Sequence, residues 1–444
     1  GMLIYVGLFY AISAFFSAIA TTFTLLIIAR MLGGLAVGAA LILAPMYIAE
    51  LVPAEQRGRM VSINQLNIVL GFSAAYFANY FILQLSGSDA AWVQTLLIDR
   101  QTWRWMLGIE LIPALLYFVL LLKIPESPRW LLMQQQEEEA QSILTKVYGP
   151  ERSTSEMKTL SQSIANSSQK EETSLKELFQ PALKLVLTIG IIIGVLQQIT
   201  GVNAIYFYAP SIFEQSGIGT DAAFAQAIWV GIINVVFTIV AMSLIDKMGR
   251  KPLLLIGVAG IAVSMFIAAF GFSQATYNLS IDAIGELPPE LDKHKVNDLI
   301  GFTYESDVAF KHQLRERLTP EEIQLFESDL LKAAVRMNPL WILLGILGFV
   351  ASFAISLGPV MWVLFAELFP NWIRGIAISF VGFINSMVSF GVQLVFPWEL
   401  TNLGSALTFG LYGLFALIGL FLIQRLLPET KGKSLEEIEK ELIG

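Results

Sequence analysis

The stretches PMYIAELVPAEQRG (residues 45–58) and VMWVLFAELFPNWIRG (residues 360–375) share one order of parts: an apolar run, a carboxylate, a proline and an Arg-Gly pair. Glu50 and Arg57-Gly58 in the first answer to Glu367 and Arg374-Gly375 in the second. Each copy reads as a membrane helix emptying into a short polar hinge, so the chain is an internal duplication. A repeat of this size inside apolar sequence points to a carrier built from two similar halves.

Composition places the chain in a bilayer. Of its 444 residues 55% are hydrophobic and only 14% charged, and the mean hydropathy is +0.65, more apolar surface than a soluble chain of this length can hide. Ten runs are long enough to cross about 30 Å of hydrocarbon: 3–20, 24–47, 60–83, 104–123, 184–210, 221–245, 252–273, 339–364, 375–397 and 404–427. Most carry Gly, Pro, Gln or Asn, which suits helices packed around a wet cavity. Cysteine is absent, so disulfides are excluded. The net charge of −8 comes mainly from loops and tail and points to no nucleic acid.

Orientation follows from the short loops. Arg57, Arg59, Lys247, Arg250, Lys251, Arg374, Lys431 and Lys433 fall on one side, which the positive-inside rule makes cytoplasmic; Arg100 and Arg104 are exceptions. Residues 1–123 form an N-terminal half of four visible helices, 124–183 a cytoplasmic linker, 184–427 a C-terminal half of six helices, and 428–444 a cytoplasmic tail. The second half has two more apolar segments than the first, with the turn Asp246 to Lys251 (DKMGRK) preceding its third. Two helices and a first copy of that turn are therefore expected upstream of Gly1.

The linker shows helical periodicity in RWLLMQQQEEEAQSILTKVYG and in SLKELFQPALKL, joined by the low-hydropathy, disordered-looking segment from Ser153 to Ser174. A polar insert at 276–338, on the opposite side, contains two helix candidates. One runs from Ser306 to Arg317; the other starts at Thr319-Pro320-Glu321-Glu322, an N-cap, a first-position proline and two acidic residues near the positive helix end. Both histidines, His294 and His312, lie in this insert.

Polar side chains inside apolar helices cost free energy unless partnered, and the densest group of them is GVLQQITGVNAIYFYAP. Gln197, Gln198 and Asn203 are neutral donor-acceptor groups that match hydroxyls without demanding a charge. On an unbroken helix Gln198 and Asn203 stand roughly 140° apart. Gly201 between them permits the break that would let them converge. Hydrogen bonding between helices is the plainer reading of each residue alone.

At this point QQITGVNAIYFY resembles the QQ-x-x-G-x-N-x-x-x-Y-Y signature of the sugar porter family of the major facilitator superfamily, which includes bacterial xylose and galactose proton symporters and animal glucose facilitators. The likeness runs nearly end to end: Arg30 with Gly34, PMYIAELVPAEQRG, PESPRW (125–130), DKMGRK, GPVMWVLFAELFPNWIRG and PETKGKSLEE (428–437). It implies an all-α membrane protein of two pseudo-symmetric helical halves in the cell membrane, with ten of the family's twelve helices in this chain. It also implies that sugar contacts fall on Gln65, Gln197, Gln198, Asn203, Asn234, Gly358, Trp362 and Asn385. Phe72, Phe207 and Ser386 depart from the family pattern, which makes one wall less polar and the space near Asn385 roomier.

Glu110 lies well inside an apolar helix, where desolvation disfavours a charge and suits a carboxylate to proton exchange. The proton-coupled members resemble this chain at Glu110. Arg30 matches a family arginine, and a mutual Arg30–Glu110 ion pair locking helices together is the alternative reading. Glu50, Arg57, Glu126, Arg129, Asp246, Arg250, Glu367, Arg374 and Glu429 look like the family's cytoplasmic ion-pair gate between the halves. The expected activity is alternating-access transport of a hexose or pentose by a monomer, with proton symport as the driving mode. An uncoupled facilitator and a sugar-sensing receptor are the alternatives. No nucleophile with a base, metal-ligand cluster or nucleotide loop supports an enzyme, a metal or a cofactor.

Overall fold

The computed structural model describes residues 1–52, 54–167, 174–285, 287–370, 372–429 and 431, with all their side chains except those at 42, 49, 54–59, 61–62, 163–167 and 246. Arg57 and Asp246 therefore lie outside the described side chains. The chain divides into a unit from Gly1 to Glu172 and a unit from Thr173 to Gly444. In the first are α1 (Met2–Ile19), α2 (Phe23–Leu51), α3 (Ala54–Ser86), α4 (Ala91–Thr95), α5 (Thr102–Gly108), α6 (Leu111–Leu121), α7 (Pro128–Met133), α8 (Glu137–Tyr148) and α9 (Pro150–Ser167). The second holds α10 (Lys184–Ile199), α11 (Val202–Glu214), α12 (Thr220–Met248), α13 (Arg250–Ser273), α14 (Ile281–Gly285), α15 (Asp307–Arg315), α16 (Pro320–Ala334), α17 (Leu340–Ile355), α18 (Leu357–Leu368), α19 (Arg374–Asn402) and α20 (Ser405–Leu426).

Ten spans among the described residues are long and apolar enough to cross a membrane, the number read from the apolar runs. Three are broken. The span 102–121 breaks at Ile109-Glu110 between α5 and α6. Span 181–214 breaks at Thr200-Gly201 between α10 and α11, with Gly201 left-handed at φ +88°. Span 340–368 breaks at Ser356 between α17 and α18. A break frees backbone carbonyls and amides, which hydrocarbon tolerates only where protein or a wet cavity meets them.

Helices in the second unit approach closely where glycine faces a small residue. A Cβ built on Gly257 would stand 2.0 Å from the Ser356 hydroxyl, and one on Gly345 would meet Ala268 at 2.8 Å, so α13 and α17 touch backbone to backbone. Without a hydrophobic drive between helices in lipid, such small-residue contacts supply dispersion attraction in its place.

The two remaining segments differ from their sequence reading in instructive ways. The linker helix breaks at Gln135 (φ 61°) into α7 and α8, α7 being capped by the Ser127 hydroxyl with Pro128 at its first position. The stretch expected to be disordered, Ser153 to Ser174, is helical as far as Ser167 within α9, and 168–173 lie outside the described residues. Its apolar density is low, yet Met157 packs on the cluster of Leu131, Ala140 and Ile143, while Ser153 accepts from Gln141 Nε2 at 3.0 Å. A few contacts at the right period outweigh mean composition here.

In the insert α15 and α16 sit where the caps placed them. Ser306 accepts from Ala309 N, and Thr319 with Glu322 forms a reciprocal capping box. Lys295, hydrogen-bonded to Glu322, holds that carboxyl below its ordinary value. Unforeseen is a small antiparallel sheet of order β2-β1-β3, from β1 (Thr276–Asn278), β2 (Thr303–Tyr304) and β3 (Val335–Arg336). It places Tyr277 across from both Tyr304 and Val335. Tyr277 stacks on Phe310 at 5.9 Å, in a core that includes Leu279, Leu299, Leu314 and Leu330.

That core is docked on the helical bundle by buried charge. Lys311 Nζ donates to Asp307 Oδ2 at 3.2 Å and to Leu400 O at 2.8 Å, the side chains being only 4% and 12% exposed. Ser405 N donates to Asp307 Oδ2 at 3.2 Å. A second anchor is Lys332, 3.3 Å from Glu214 at the end of α11.

Candidate functional site

The polar cluster is built by the break at Gly201. Because α10 stops at Ile199 and α11 restarts at Val202, Asn203 turns back far enough for its Nδ2 to donate to Gln198 Oε1 at 2.9 Å. Gln198 Nε2 donates to Gln197 Oε1 and to Asn385 Oδ1, both at 3.2 Å. Asn385 Nδ2 donates to Gly194 O and Gln197 Oε1, both at 2.8 Å, and Gln197 Nε2 donates to Leu357 O at 3.1 Å. The last acceptor is at the start of α18, so a broken span on each side feeds one network. Gln197, Gln198 and Asn385 are 6%, 8% and 7% exposed, deep enough that each unpaired amide would cost on the order of 1–3 kcal/mol.

Only glycine fits the break. Its φ of +88° is strained for other residues, and a Cβ there would lie 2.5 Å from the Tyr412 ring. Tyr412 in turn donates its hydroxyl to Glu399 at 2.8 Å.

Of the other expected sugar contacts, Asn234 is buried in α12 and stands outside this hydrogen-bonded set. Gly358 lies in the first turn of α18, one turn before Trp362, whose half-exposed indole stands edge-on to Phe365 at 6.0 Å. Gln65 is half-buried in α3, in the first unit. Sequence reasoning missed Ser389, which accepts from Asn203 Nδ2 at 2.6 Å, and Gln393, whose Nε2 donates to Ser389 Oγ at 3.0 Å.

Arg30 and Glu110 meet: Nη1 donates to Oε2 at 2.9 Å. Within the protein alone the side chain of Arg30 is 50% exposed and that of Glu110 49%. It stands at the α5–α6 break, against a cation rather than sealed among apolar groups.

The expected gate residues form contacts inside each unit. Arg250 makes a bidentate pair with Glu367, Nη2 to Oε1 at 2.6 Å and Nε to both oxygens at 3.1 Å, with side chains 14% and 20% exposed. Glu429 accepts from the backbone amides of Arg250 and Lys251, each at 3.1 Å, and so caps the positive end of α13. Arg374 Nε donates to Phe369 O at 3.0 Å. In the first unit Ser127 donates to Glu50 at 2.5 Å, Glu126 lies half-buried just before α7, and Arg129 lies half-buried within it.

A bundle of membrane-spanning helices, broken where neutral amides gather and braced by ion pairs at helix ends, defines a multi-pass membrane carrier. The comparisons with known proteins say which. The family model described as "Sugar (and other) transporter" matches residues 1–284 and 328–442. The D-xylose-proton symporter of Escherichia coli K12 is 33% identical over 93% of this chain and 70% of its own length. The arabinose-proton symporter of Bacillus subtilis is 34% identical over 98% of this chain and 78% of its own. The inward-open structure of the E. coli xylose transporter XylE superposes with a TM-score of 0.71 at 30% identity, covering 99% of this chain and 82% of that one. The chain belongs to the sugar transporter family of the major facilitator superfamily, as QQITGVNAIYFY implied. It is a transporter and not an enzyme. The unmatched residues 285–327 fall inside the polar insert.

Proposed function

We propose that this sugar transporter carries a monosaccharide, hexose or pentose, by alternating access, with the Gln197–Gln198–Asn203–Asn385 cluster as the heart of its binding site and proton symport as its driving mode. The observation that carries the reading is the convergence of Asn203 on Gln198 across the Gly201 break. Neutral amides held in a fixed array at the centre of a span offer paired donors and acceptors, which is what vicinal hydroxyls require. Trp362 adds an aromatic face for the apolar side of a pyranose ring. The family pattern adds Gln65, Asn234 and Gly358 as further sugar contacts.

Coupling rests on Glu110. A carboxylate in a membrane span is a functional group by default, and the relatives named as proton symporters cover most of this chain. The 2.9 Å pair with Arg30 favours a second reading, in which the two side chains lock helices together in an uncoupled facilitator. In proteoliposomes with an imposed pH gradient, the symport reading expects sugar accumulation that is lost in Glu110→Gln while sugar exchange survives. Accumulation and exchange equally intact in Glu110→Gln would drop Glu110 from the coupling, and exchange without accumulation in wild type would leave the facilitator.

The pairs of Arg250, Glu367 and Glu429, with Glu50 and Arg374, brace helix ends in one conformation and must rearrange when the carrier turns over, and the family pattern assigns Glu126 and Arg129 to the same gate. The protein acts as a monomer in the cell membrane.

A further inference from the structure

The hydrogen bonds of the amide cluster are unequally distributed. At its buried end Gln197 Oε1 accepts twice, from Gln198 and Asn385, and the amide nitrogens of Gln197, Gln198 and Asn385 all have protein acceptors. At the other end the capacity is open. Asn203 uses its nitrogen twice, and its Oδ1 meets no donor among the described residues. Ser389 Oγ accepts from Asn203 and Gln393, so its own proton is free to be donated. Gln393 uses its nitrogen on Ser389 and leaves Oε1 without a partner among the described residues.

Ser389 and Gln393 line a cavity of about 400 Å³ together with Ser386, Phe390 and Leu394, and Asn203 is tied to it through Ser389. The spacing of 386, 389, 390 and 393 puts them on one face of α19. The Ser386 hydroxyl is bonded back to Gly382 O at 3.0 Å, which leaves Ser389 and Gln393 as the polar groups with something to offer. Phe390 and Leu394 beside them are exposed apolar surface. One donor, two acceptors and a flanking apolar wall match a methylene that carries a hydroxyl.

We propose that Ser389 and Gln393, with Asn203 Oδ1, are specificity-determining residues that read a hydroxymethyl group projecting from the sugar ring, so that this transporter takes hexoses in preference to pentoses. The inference rests on the proposed sugar site and names its substrate class. Ser389, Gln393 and Asn203 are half-buried; polar groups placed to bond a hydroxyl and covered by bound sugar are left unpaired by a ligand that lacks it, and that loss discriminates better than shape does.

The test uses D-glucose and D-xylose, which differ in that one group, together with 6-deoxy-D-glucose, on the purified chain in detergent by calorimetry or tryptophan fluorescence. Wild type is expected to bind glucose about tenfold or more tighter than xylose or 6-deoxyglucose. Gln393→Met and Gln393→Leu are expected to weaken glucose until the three sugars bind alike, with the xylose Kd held within about twofold. That retained xylose binding also shows that each variant is folded. A wild type that prefers xylose, or variants that weaken all three sugars equally or none, would overturn the inference and leave the sugar site standing. Binding of no sugar by wild type would remove the proposed site and the inference together.

Discussion

The contact between Asn203 and Gln198 exists because of one residue that touches neither. Gly201 was legible as a permissive position, because a glycine between two amides in an apolar run has few other uses. Gly201→Ala is expected to lose about 1–2 kcal/mol from φ alone, with more from the Tyr412 ring that a Cβ would strike. The expected readout is a lower Tm together with sugar affinity weakened more than tenfold. Unchanged affinity would show that the break is not needed for the site. Asn203→Ala deletes the link to Gln198 and Ser389 and is expected to weaken sugar binding about tenfold, the value of one good hydrogen bond, in the same binding assay. Ser389 and Gln393 were not legible. A serine and a glutamine four apart in an apolar helix look like ordinary back-bonding to the preceding turn, and only the fold shows that Asn203 comes to meet them. Glu110 was legible as an intramembrane charge, but not its place at the break between α5 and α6, which is a matter of two residues.

At the scale of elements, the ten spans were readable because hydrocarbon demands long apolar runs, whereas the three breaks were less so, as each is a matter of two residues. The insert divides the same way. Its helices announce themselves through Ser306 and the Thr319–Glu322 box, but strands of two and three residues are too short for any alternation to be seen. Neither could the sequence show that Asp307 and Lys311, four apart on α15, are buried against Leu400 and Ser405. Lys311→Met, which leaves Asp307 buried without its cation, is expected to cost about 3–5 kcal/mol, read as a lower Tm and faster proteolysis within 276–338. The double variant Asp307→Asn, Lys311→Met is expected to recover most of that loss. Equal stability of the single variant and wild type would mean that the pair does not hold the insert down.

For the whole molecule, the duplication that places Glu50 and Glu367 in matching hinges makes helix-end contacts matter to the conformational cycle more than to the sugar. Several charges sharing partners can bias one state by roughly a few kcal/mol. Glu367→Gln removes the charge from the Arg250 fork, and Arg374→Ala removes a donor to Phe369 O. Both are expected to slow net transport about tenfold or more, with sugar Kd changed less than about threefold. A large loss of affinity with normal turnover would contradict that role. The central claim is that the amide cluster of the second unit binds the sugar that the carrier moves. Counterflow of labelled D-glucose in proteoliposomes, compared between wild type and Gln198→Ala, tests it most directly. The account predicts robust exchange by wild type and its loss in Gln198→Ala, restored in part at high sugar concentration. Exchange of equal rate and apparent affinity in the two proteins would contradict it.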